Sequence, residues 1–289
     1  MPQRNLAPGD LVLSSASVEN PPFDELLEIA EAGGYAGVTL WPSVYHPRFQ
    51  SDMSLEQMQH RLDDSPLAVC DMDALVAWVG SGDPGGPYFE EPPETELFEL
   101  GEALGAQYVN VLLHGTDSDV TEAEAAEVVA GVVERAERHG LWPHLEFSRN
   151  RPVGRDLPSS VRIAQLAAAG RVGVLVDTWH VHFGDGSFDD LARADGRAIT
   201  GFQINDVPAV PPEDLGYATR YARLAPGEGC LDLVGILASL EAIHSPAPIS
   251  IEVFDAPRVK ELGARAFACY LADAVRDLCR RAQHSAGDQ

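Results

Sequence analysis

Apolar runs and helical patterns alternate along the whole chain, and eight rounds of this alternation can be counted. The strand patterns cover Asp10–Val18, Gly37–Trp41, Leu67–Val76, Tyr108–Leu113, Trp142–Phe147, Val172–Asp177, Ile199–Asp206 and Pro248–Phe254. The helical patterns that follow them cover Phe23–Ala32, Leu55–Leu62, Glu94–Leu104, Glu122–His139, Ser160–Ala169, Phe188–Ala194, Leu231–Ile243 and Val259–Arg281. Eight such rounds with short turns predict one closed (β/α)8 barrel over residues 1–282, followed by a disordered tail at 283–289.

A doubly wound open sheet is the alternative architecture for alternating strands and helices. No GxGxxG or GxxxxGK[ST] motif follows any of the predicted strands. The absence of these phosphate-binding loops counts against the nucleotide-binding versions of an open sheet. The closed barrel is therefore the preferred prediction.

The segment Val172–His180 (VGVLVDTWH) indicates where such a barrel would place its chemistry. Its apolar run ends abruptly at Asp177 and, three residues later, His180. A run of this kind is typical of a parallel strand that is buried on both faces. Catalytic groups of α/β folds gather just beyond the carboxyl ends of such strands. Three further runs end in the same way, with Glu146, Gln203 and Glu252.

Two Glu, one Asp and one Gln at four strand ends form a set of hard oxygen ligands, which predicts a Mg²⁺ or Mn²⁺ site. A Glu among apolar strand residues needs a cation partner, because an unpaired buried carboxylate is costly. For any single acid, an ordinary ion pair with an Arg or a capping role is the alternative. Gln203 could instead complete a hydrogen-bond network, and Asp206 is then the nearest substitute as ligand.

Histidine and aromatic side chains beside these strand ends are candidate substrate contacts. His180 beside a full set of oxygen ligands is predicted to contact substrate, although it could also bind a second metal or simply pack. His114 follows the fourth predicted strand, and Trp41 lies at the end of the second. Both could therefore line the substrate pocket, and packing without a functional role is the alternative. His144 lies on the same strand face as Glu146, because strand side chains alternate with a period of two.

Two long loops on the carboxyl side of the predicted barrel depart from the short-turn pattern. Gly80–Pro93 is rich in Gly and Pro, and a mobile insertion or a substrate wall fits it equally well. Val207–Gly229 contains Arg220, Arg223 and a tight PGEG turn. Loops on this side of a barrel commonly form lids or substrate walls, which favours a functional role for the second loop.

Charge and composition limit the partners. The formal net charge of −25 makes nucleic acid or an anionic membrane surface an unfavourable partner. No apolar run is long enough for a membrane span, and the N-terminus lacks the apolar segment of a secretory signal. Four scattered cysteines without a CxxC pair fit a cytoplasmic protein with reduced thiols. A small-molecule substrate is expected, and a homo-oligomer is plausible.

The motifs at the strand ends resemble the xylose isomerase-like TIM barrel family of sugar phosphate isomerases and epimerases. The resemblance rests on five segments: HLEF around Glu146, VDTWH from Asp177 to His180, GFQIND around Gln203, RLAPGEG from Arg223, and SIEVF around Glu252. It implies that the positions of Glu146, Asp177, Gln203 and Glu252 bind one Mn²⁺, Mg²⁺ or Co²⁺. It also implies that the two Glu act as an acid/base pair and that His180 and Arg223 contact substrate.

Members of this family differ at the position of Gln203. Ketose 3-epimerases usually have His there, whereas hydroxypyruvate isomerase carries Gln and a similar proline-rich loop. Apurinic endonucleases share the DTxH element but use a three-zinc cluster rich in His. The missing His ligands and the net charge of −25 count against that activity.

The ligand set implies a reaction in which a divalent ion chelates a hydroxy-carbonyl compound and stabilises its enediolate. One Glu removes the proton alpha to the carbonyl and the other returns a proton, which gives isomerisation or epimerisation. Loss of a β-hydroxyl from the same enediolate would instead make the protein a dehydratase acting on a cyclic polyol or ketone. A non-catalytic binding barrel is a further alternative, against which the intact Glu146/Glu252 pair argues.

Overall fold

A computed structural model of the chain describes residues 5–49, 53–80, 92–116 and 119–287. Eight strands form a closed parallel barrel in chain order, and β8 pairs with β1. The strands are β1 Leu11–Ser14, β2 Gly37–Leu40, β3 Ala68–Trp78, β4 Tyr108–His114, β5 Trp142–Glu146, β6 Gly173–Asp177, β7 Ile199–Ile204 and β8 Ile249–Ile251. The predicted (β/α)8 barrel is confirmed, and the open sheet is excluded because the ring closes.

Twelve α-helices surround or cap the barrel within the described ranges. They are α1 Phe23–Ala32, α2 Pro42–Tyr45, α3 Leu55–Asp63, α4 Glu94–Leu104, α5 Glu122–Ala136, α6 Leu157–Ala168, α7 Thr178–His182, α8 Phe188–Arg193, α9 Leu215–Tyr221, α10 Leu233–Ala242, α11 Ala256–Leu262 and α12 Ala264–Gly287. Short 3-10 turns lie at Ser15–Val18, Glu137–His139 and Gly196–Ala198. The last helix continues to Gly287, through most of the segment for which the sequence predicts a disordered tail.

Local sequence signals explain where several helices begin. Thr121 caps α5 in a reciprocal capping box with Glu124, and Ser54 caps α3 in the same way with Gln57. Such boxes satisfy N–H groups that the first helical turn leaves without partners. The short helices α2 and α7 lie between a predicted strand and the next predicted helix, and α9 lies inside the predicted loop Val207–Gly229. Of the predicted loop Gly80–Pro93, residues 81–91 lie outside the described residues.

The principal core lies between the barrel wall and the surrounding helices. Leu26 of α1, Val38 of β2, Phe98 of α4, Val133 of α5 and Phe267 of α12 are all buried in one apolar cluster. This layer stabilises the barrel from outside, because burial of apolar surface contributes about 25 cal/mol per Å². Among the described residues, no helix combines the length and the apolar character that crossing a bilayer requires.

The inside of the barrel is polar below the strand ends. His144 is fully buried there and stacks on the ring of Tyr108, with centroids 5.2 Å apart. Gly201 makes room for it, because a Cβ at that position would lie 2.8 Å from His144 Cε1. Burial lowers the pKa of His144 to about 3, against the opposing charge of Glu146. A neutral imidazole therefore lies one layer below Glu146 on the same strand face.

Strand β3 is irregular on the side that faces this interior. Its register against β4 shifts between Met72 and Leu75, where three steps along β3 match two steps along β4. An extra residue of this kind re-aims nearby side chains, as β-bulges do next to active sites. The shift places Asp73 against side chains at the mouth of the barrel, where its carboxylate meets Asn110 and Gln203.

Candidate active site and metal centre

Three side chains from β5, β6 and α7 converge at the mouth of the barrel. Glu146, Asp177 and His180 each offer a ligand atom, and these atoms lie within 4.8 Å of one another. His180 Nε2 lies 3.3 Å from Glu146 Oε1 and 3.8 Å from Asp177 Oδ2. Helix α7 brings His180 to this position, and Asp177 caps that helix through a 2.8 Å bond from Trp179 N–H. His180, predicted as a substrate contact, therefore also contacts two predicted ligands.

The acid and the amide from the other side of the ring approach the same mouth. Glu252 Oε1 accepts hydrogen bonds from Gln203 Nε2 at 3.2 Å and from Ser14 Oγ at 3.4 Å. The remaining atom of the amide, Gln203 Oε1, is buried and finds no hydrogen-bond partner among the described residues. A buried acceptor without a partner calls for an explanation such as an ion or a water molecule.

Arg223 joins the two halves of the site. Its Nη1 donates to Asp177 Oδ2 at 2.8 Å and to Glu252 Oε2 at 2.9 Å, and its side chain is only 3% exposed. The guanidinium lies over the ring of Phe254, 4.4 Å from the centroid. The sequence predicts Arg223 as a substrate contact, and the structure places it as a cation between two predicted metal ligands.

Two site residues are missed by the sequence analysis, Asp73 and Asn110. Asn110 Nδ2 donates to Asp73 Oδ1 at 2.8 Å and to Glu146 Oε2 at 2.6 Å. Gln203 Nε2 approaches Asp73 Oδ2 at 3.4 Å. A signal for both was present, because Asp71 and Asp73 alternate with period two in an apolar strand and Asn110 interrupts another apolar run.

The pKa values of the carboxyl groups shift in opposite directions: burial and neighbouring carboxylates raise them, and neighbouring cations and hydrogen-bond donors lower them. Burial alone would raise the pKa of Glu146, but the hydrogen bond and charge of His180, with Arg151 and Asn110, bring it to about 2. Burial raises the pKa of Glu252 well above its ordinary value; Arg223 opposes this, and the carboxylates of Asp73, Asp177 and Glu146 reinforce it. The pKa of Asp73 is raised by burial and by the neighbouring carboxylates of Glu146 and Asp71.

The site fits a divalent cation. Its four carboxyl groups (Asp73, Glu146, Asp177 and Glu252) share one guanidinium, that of Arg223, and an excess of buried negative charge is costly. The Gln203 amide, which contacts Glu252, carries one more oxygen, Oε1, that has no partner among the described residues. Carboxylate, amide and imidazole groups are common ligands of divalent metals. These observations suggest a divalent metal at the mouth of the barrel.

His114 and Trp41 lie at the rim of the mouth. His114 packs edge-on against Trp78, with centroids 5.7 Å apart, and its Nε2 contacts Arg151 Nη1. Burial and the charge of Arg151 lower the pKa of His114 to about 4. Trp41 packs edge-on against Phe254, and its buried Nε1 finds no acceptor among the described residues. Trp41 is thus linked to Arg223 through the Phe254 ring, whereas His114 lies on the β4 side.

Asp206, the alternative to Gln203, is engaged by the loop that follows β7. Its carboxylate accepts hydrogen bonds from the backbone N–H groups of Val207, Gly227, Gly229 and Leu231, at 2.9–3.1 Å. Gly229 permits this approach, because a Cβ there would lie 2.3 Å from Asp206 Oδ1. The carboxylate of Asp206 therefore organises the PGEG turn, whereas the amide of Gln203 faces the cluster.

Asp206→Ala is expected to lower the free energy of unfolding by about 3 kcal/mol, because four N–H groups lose a charged acceptor. Urea unfolding followed by circular dichroism measures the change. The matched control is Asp232→Ala, which removes a single cap bond to Gly235 N–H and should cost about 1 kcal/mol. Equal losses in the two variants would contradict the organising role of Asp206.

The chain resembles known proteins over most of its length. A model of the xylose isomerase-like TIM barrel family matches residues 26–270. The chain is 25% identical over 246 residues to an inosose isomerase from Bacillus velezensis. The match covers 83% of this chain and 86% of that protein. It is also 29% identical over 203 residues to a 3-dehydroshikimate dehydratase from Pseudomonas aeruginosa. That match covers 66% of this chain and 31% of the dehydratase.

Solved structures share the same architecture. The crystal structure of an IOLI protein with a binding zinc atom matches with a TM-score of 0.79 at 22% identity, covering 93% of this chain and 98% of that one. At this level of identity the likeness shows the fold. The family model spans most of the chain and the relatives are enzymes, so the protein is an enzyme and belongs to the xylose isomerase-like TIM barrel family.

Proposed function

We propose that the protein is a divalent-metal-dependent isomerase or epimerase of a small sugar or hydroxy-carbonyl compound. The observation that carries the proposal is the convergence of side chains from four strand ends: His180 contacts Glu146 and Asp177, Arg223 joins Asp177 to Glu252, and the Gln203 amide contacts Glu252. The similarity to inosose isomerases over 83% of the chain supports a substrate of the polyhydroxylated carbonyl class.

Glu146, Asp177, Gln203 and Glu252 would hold the metal, with His180 next to it. Three carboxylates and an amide oxygen are hard ligands that suit Mn²⁺ or Mg²⁺, and Co²⁺ also fits such a site. The zinc atom in the structurally similar IOLI protein supports a divalent ion in a barrel of this fold. When bound, the cation supplies Lewis acidity that polarises the substrate carbonyl and stabilises the negative charge left on its oxygen.

The two glutamates are proposed to move the protons. Glu146 ends β5 and Glu252 directly follows β8, three strands away in a ring of eight, so we propose that their carboxylates reach a bound substrate from different sides. One carboxylate oxygen takes the proton from the carbon alpha to the carbonyl, and the other Glu delivers a proton. Delivery to the adjacent carbon gives an isomer, and delivery to the opposite face of the same carbon gives an epimer.

Neighbouring side chains orient these two carboxylates. Asn110 and His180 contact opposite oxygens of Glu146, at 2.6 and 3.3 Å. Gln203 and Arg223 likewise contact opposite oxygens of Glu252, at 3.2 and 2.9 Å. Preorganisation of this kind places the reacting oxygen before the substrate arrives, which is a major part of catalytic efficiency.

A dehydratase is the second candidate. The highest identity among these relatives, 29%, is to a 3-dehydroshikimate dehydratase, although the match covers only 31% of that protein. The same removal of an α-proton, followed by loss of a β-hydroxyl as water, would convert a cyclic hydroxy-ketone into an unsaturated ketone. The same two glutamates would serve, one as base and one as the proton donor to the leaving hydroxyl.

The test combines metal analysis with proton exchange. Elemental analysis after incubation with Mn²⁺ should find about one divalent ion per chain, as a single site requires. In deuterated water, the enzyme should place deuterium on the α-carbon of an inosose or a ketose, and NMR should identify the isomer or epimer formed. Appearance of an aromatic dihydroxybenzoate, which 3-dehydroshikimate forms by loss of one water, would favour the dehydratase. Absence of both metal and exchange would contradict the proposed function.

A further inference from the structure

Asp73 contributes a fourth carboxylate to the site, from a strand that carries none of the predicted ligands. The register shift in β3 places it where one oxygen faces Asn110 and the other faces Gln203. Asn110 links Asp73 to Glu146, because the same Nδ2 also donates to Glu146 Oε2. The half-buried carboxylate of Asp73 therefore contacts Gln203 on β7 directly. It is linked to Glu146 on β5 through the amide of Asn110.

The amide of Gln203 can serve a cation only in one of its two orientations. An amide has an oxygen acceptor on one side and an NH₂ donor on the other, with nearly the same shape. The NH₂ of Gln203 points at two carboxylates, Glu252 Oε1 at 3.2 Å and Asp73 Oδ2 at 3.4 Å. With the NH₂ fixed in that direction, Oε1 is left buried and without a partner among the described residues.

We infer, on the basis of the metal site in the proposed function, that Asp73 is a positioning residue that holds the Gln203 amide with its oxygen towards the cation. Glu252 supplies the other acceptor, but it is itself a predicted ligand and also accepts from Ser14 and Arg223. Asp73 accepts from the two amides and shares a hydrogen bond with the carboxyl group of Glu252, and since it is not itself a predicted ligand, we assign it the role of orientation. Metal ligands commonly depend on such outer partners for their geometry.

The decisive variant is Asp73→Asn, which keeps the shape of the side chain and adds an NH₂ donor. If the remaining side-chain oxygen at position 73 continues to accept from Asn110, the introduced NH₂ faces the NH₂ of Gln203. Two facing donors repel, so the Gln203 amide turns and presents NH₂ to the cation. The affinity for Mn²⁺, measured by isothermal titration calorimetry on the metal-free protein, should fall about 10–100-fold, as for other outer-partner losses.

Asp71→Asn is the matched control. It lies on the same strand, is buried, and also loses one carboxylate, but its Oδ2 accepts from Thr39 Oγ1 at 3.2 Å and not from the Gln203 amide. Its Mn²⁺ affinity should change much less than that of Asp73→Asn. Circular dichroism and thermal unfolding of both variants verify that each is folded before affinities are compared.

A double variant separates positioning from direct ligation. Gln203→Glu replaces the amide by a carboxylate, which presents oxygen on both sides and cannot be misoriented. In Asp73→Asn/Gln203→Glu the introduced NH₂ at position 73 donates to the introduced carboxylate at position 203. The affinity of the double variant for Mn²⁺ should then match that of Gln203→Glu alone, because Asp73→Asn no longer has an amide to misorient.

The outcomes distinguish this inference from the proposed function. Wild-type protein that binds Mn²⁺ together with an unchanged affinity in Asp73→Asn would overturn the positioning role and leave the proposed function intact. A double variant that binds Mn²⁺ more weakly than Gln203→Glu by the same factor that separates Asp73→Asn from the wild type would also overturn it, because Asp73 would then act as a ligand or through its charge. Wild-type protein that binds no divalent ion would overturn the metal site of the proposed function, and the positioning role with it.

Discussion

Glu146→Gln and Glu252→Gln should each lower kcat by about 10²–10⁴-fold, the usual contribution of general acid–base catalysis. Gln has nearly the shape of Glu and keeps an oxygen that can face the metal, but it cannot take up or deliver a proton. Steady-state kinetics with a substrate identified by the exchange experiment, at saturating Mn²⁺, measures the loss. Metal content is determined for each variant, so that loss of the cation is separated from loss of the proton carrier.

Proton exchange assigns the two glutamates their roles. The variant that lacks the residue facing the α-proton should neither exchange deuterium nor form product. The variant that lacks the other Glu should exchange deuterium into the substrate and form almost no product. Full activity in the double variant Glu146→Gln/Glu252→Gln would contradict the proposed chemistry.

A matched control for these variants lies on the loop after β7. Glu228 is paired with Arg258 and accepts from Tyr270, outside the metal cluster. Glu228→Gln removes a carboxylate of the same chemical type, so its kcat should stay close to that of the wild type. A comparable loss of kcat in this variant would show that the activity responds to charge in general and would contradict a specific role for Glu146 and Glu252.

The barrel could be predicted from the sequence because its signals are local and repeated. Each strand is a short apolar run bounded by polar residues, and each main helix carries a period near 3.6 with a recognisable start or end. Strand ends are less well defined by such runs: the pattern extends the first strand to Val18, but β1 ends at Ser14 and Ser15–Val18 forms a 3-10 turn. This difference moves no site residue.

The acids of the site could be found because a strand fixes where its last side chain lies. Glu146, Asp177 and Gln203 are each at or next to the end of a strand, and parallel strands in a barrel bring those ends together. His180 follows within one short helix. Position along a strand therefore predicts this part of the cluster without any knowledge of contacts.

The contacts that depend on loops and irregular backbone could not be predicted. Arg223 lies 46 positions from Asp177 and 29 from Glu252, and its direction is set by the fold of the loop after β7. Asp73 faces the mouth because β3 shifts its register against β4. The periodic pattern of apolar residues in the sequence does not indicate such a shift. The sequence does not indicate whether Gln203 or Asp206 is the ligand, because both lie near the end of the same strand. In the structure, the N–H groups of the PGEG turn bind the carboxylate of Asp206.

Arg223→Met should lower the free energy of unfolding of the metal-free protein by about 3–5 kcal/mol, the usual cost of breaking a buried ion pair. Met keeps much of the apolar volume over Phe254 but removes the cation that contacts both Asp177 and Glu252. The two carboxylates then face each other in a buried site without their guanidinium. Urea unfolding in the presence of a chelator measures the loss.

Mn²⁺ should restore much of that stability, because a bound divalent ion replaces the missing positive charge between the same two carboxylates. An ion present at 100 times its Kd stabilises a folded protein by about 2.7 kcal/mol through mass action, and the variant should gain at least as much as the wild type. Arg258→Met is the control: its pair with Glu228 is partly exposed, so the cost should stay within about 1 kcal/mol, with no additional response to Mn²⁺. An Arg223→Met protein as stable as the control, or one that Mn²⁺ leaves unchanged, would contradict the view that the guanidinium and the metal neutralise one shared cluster of acids.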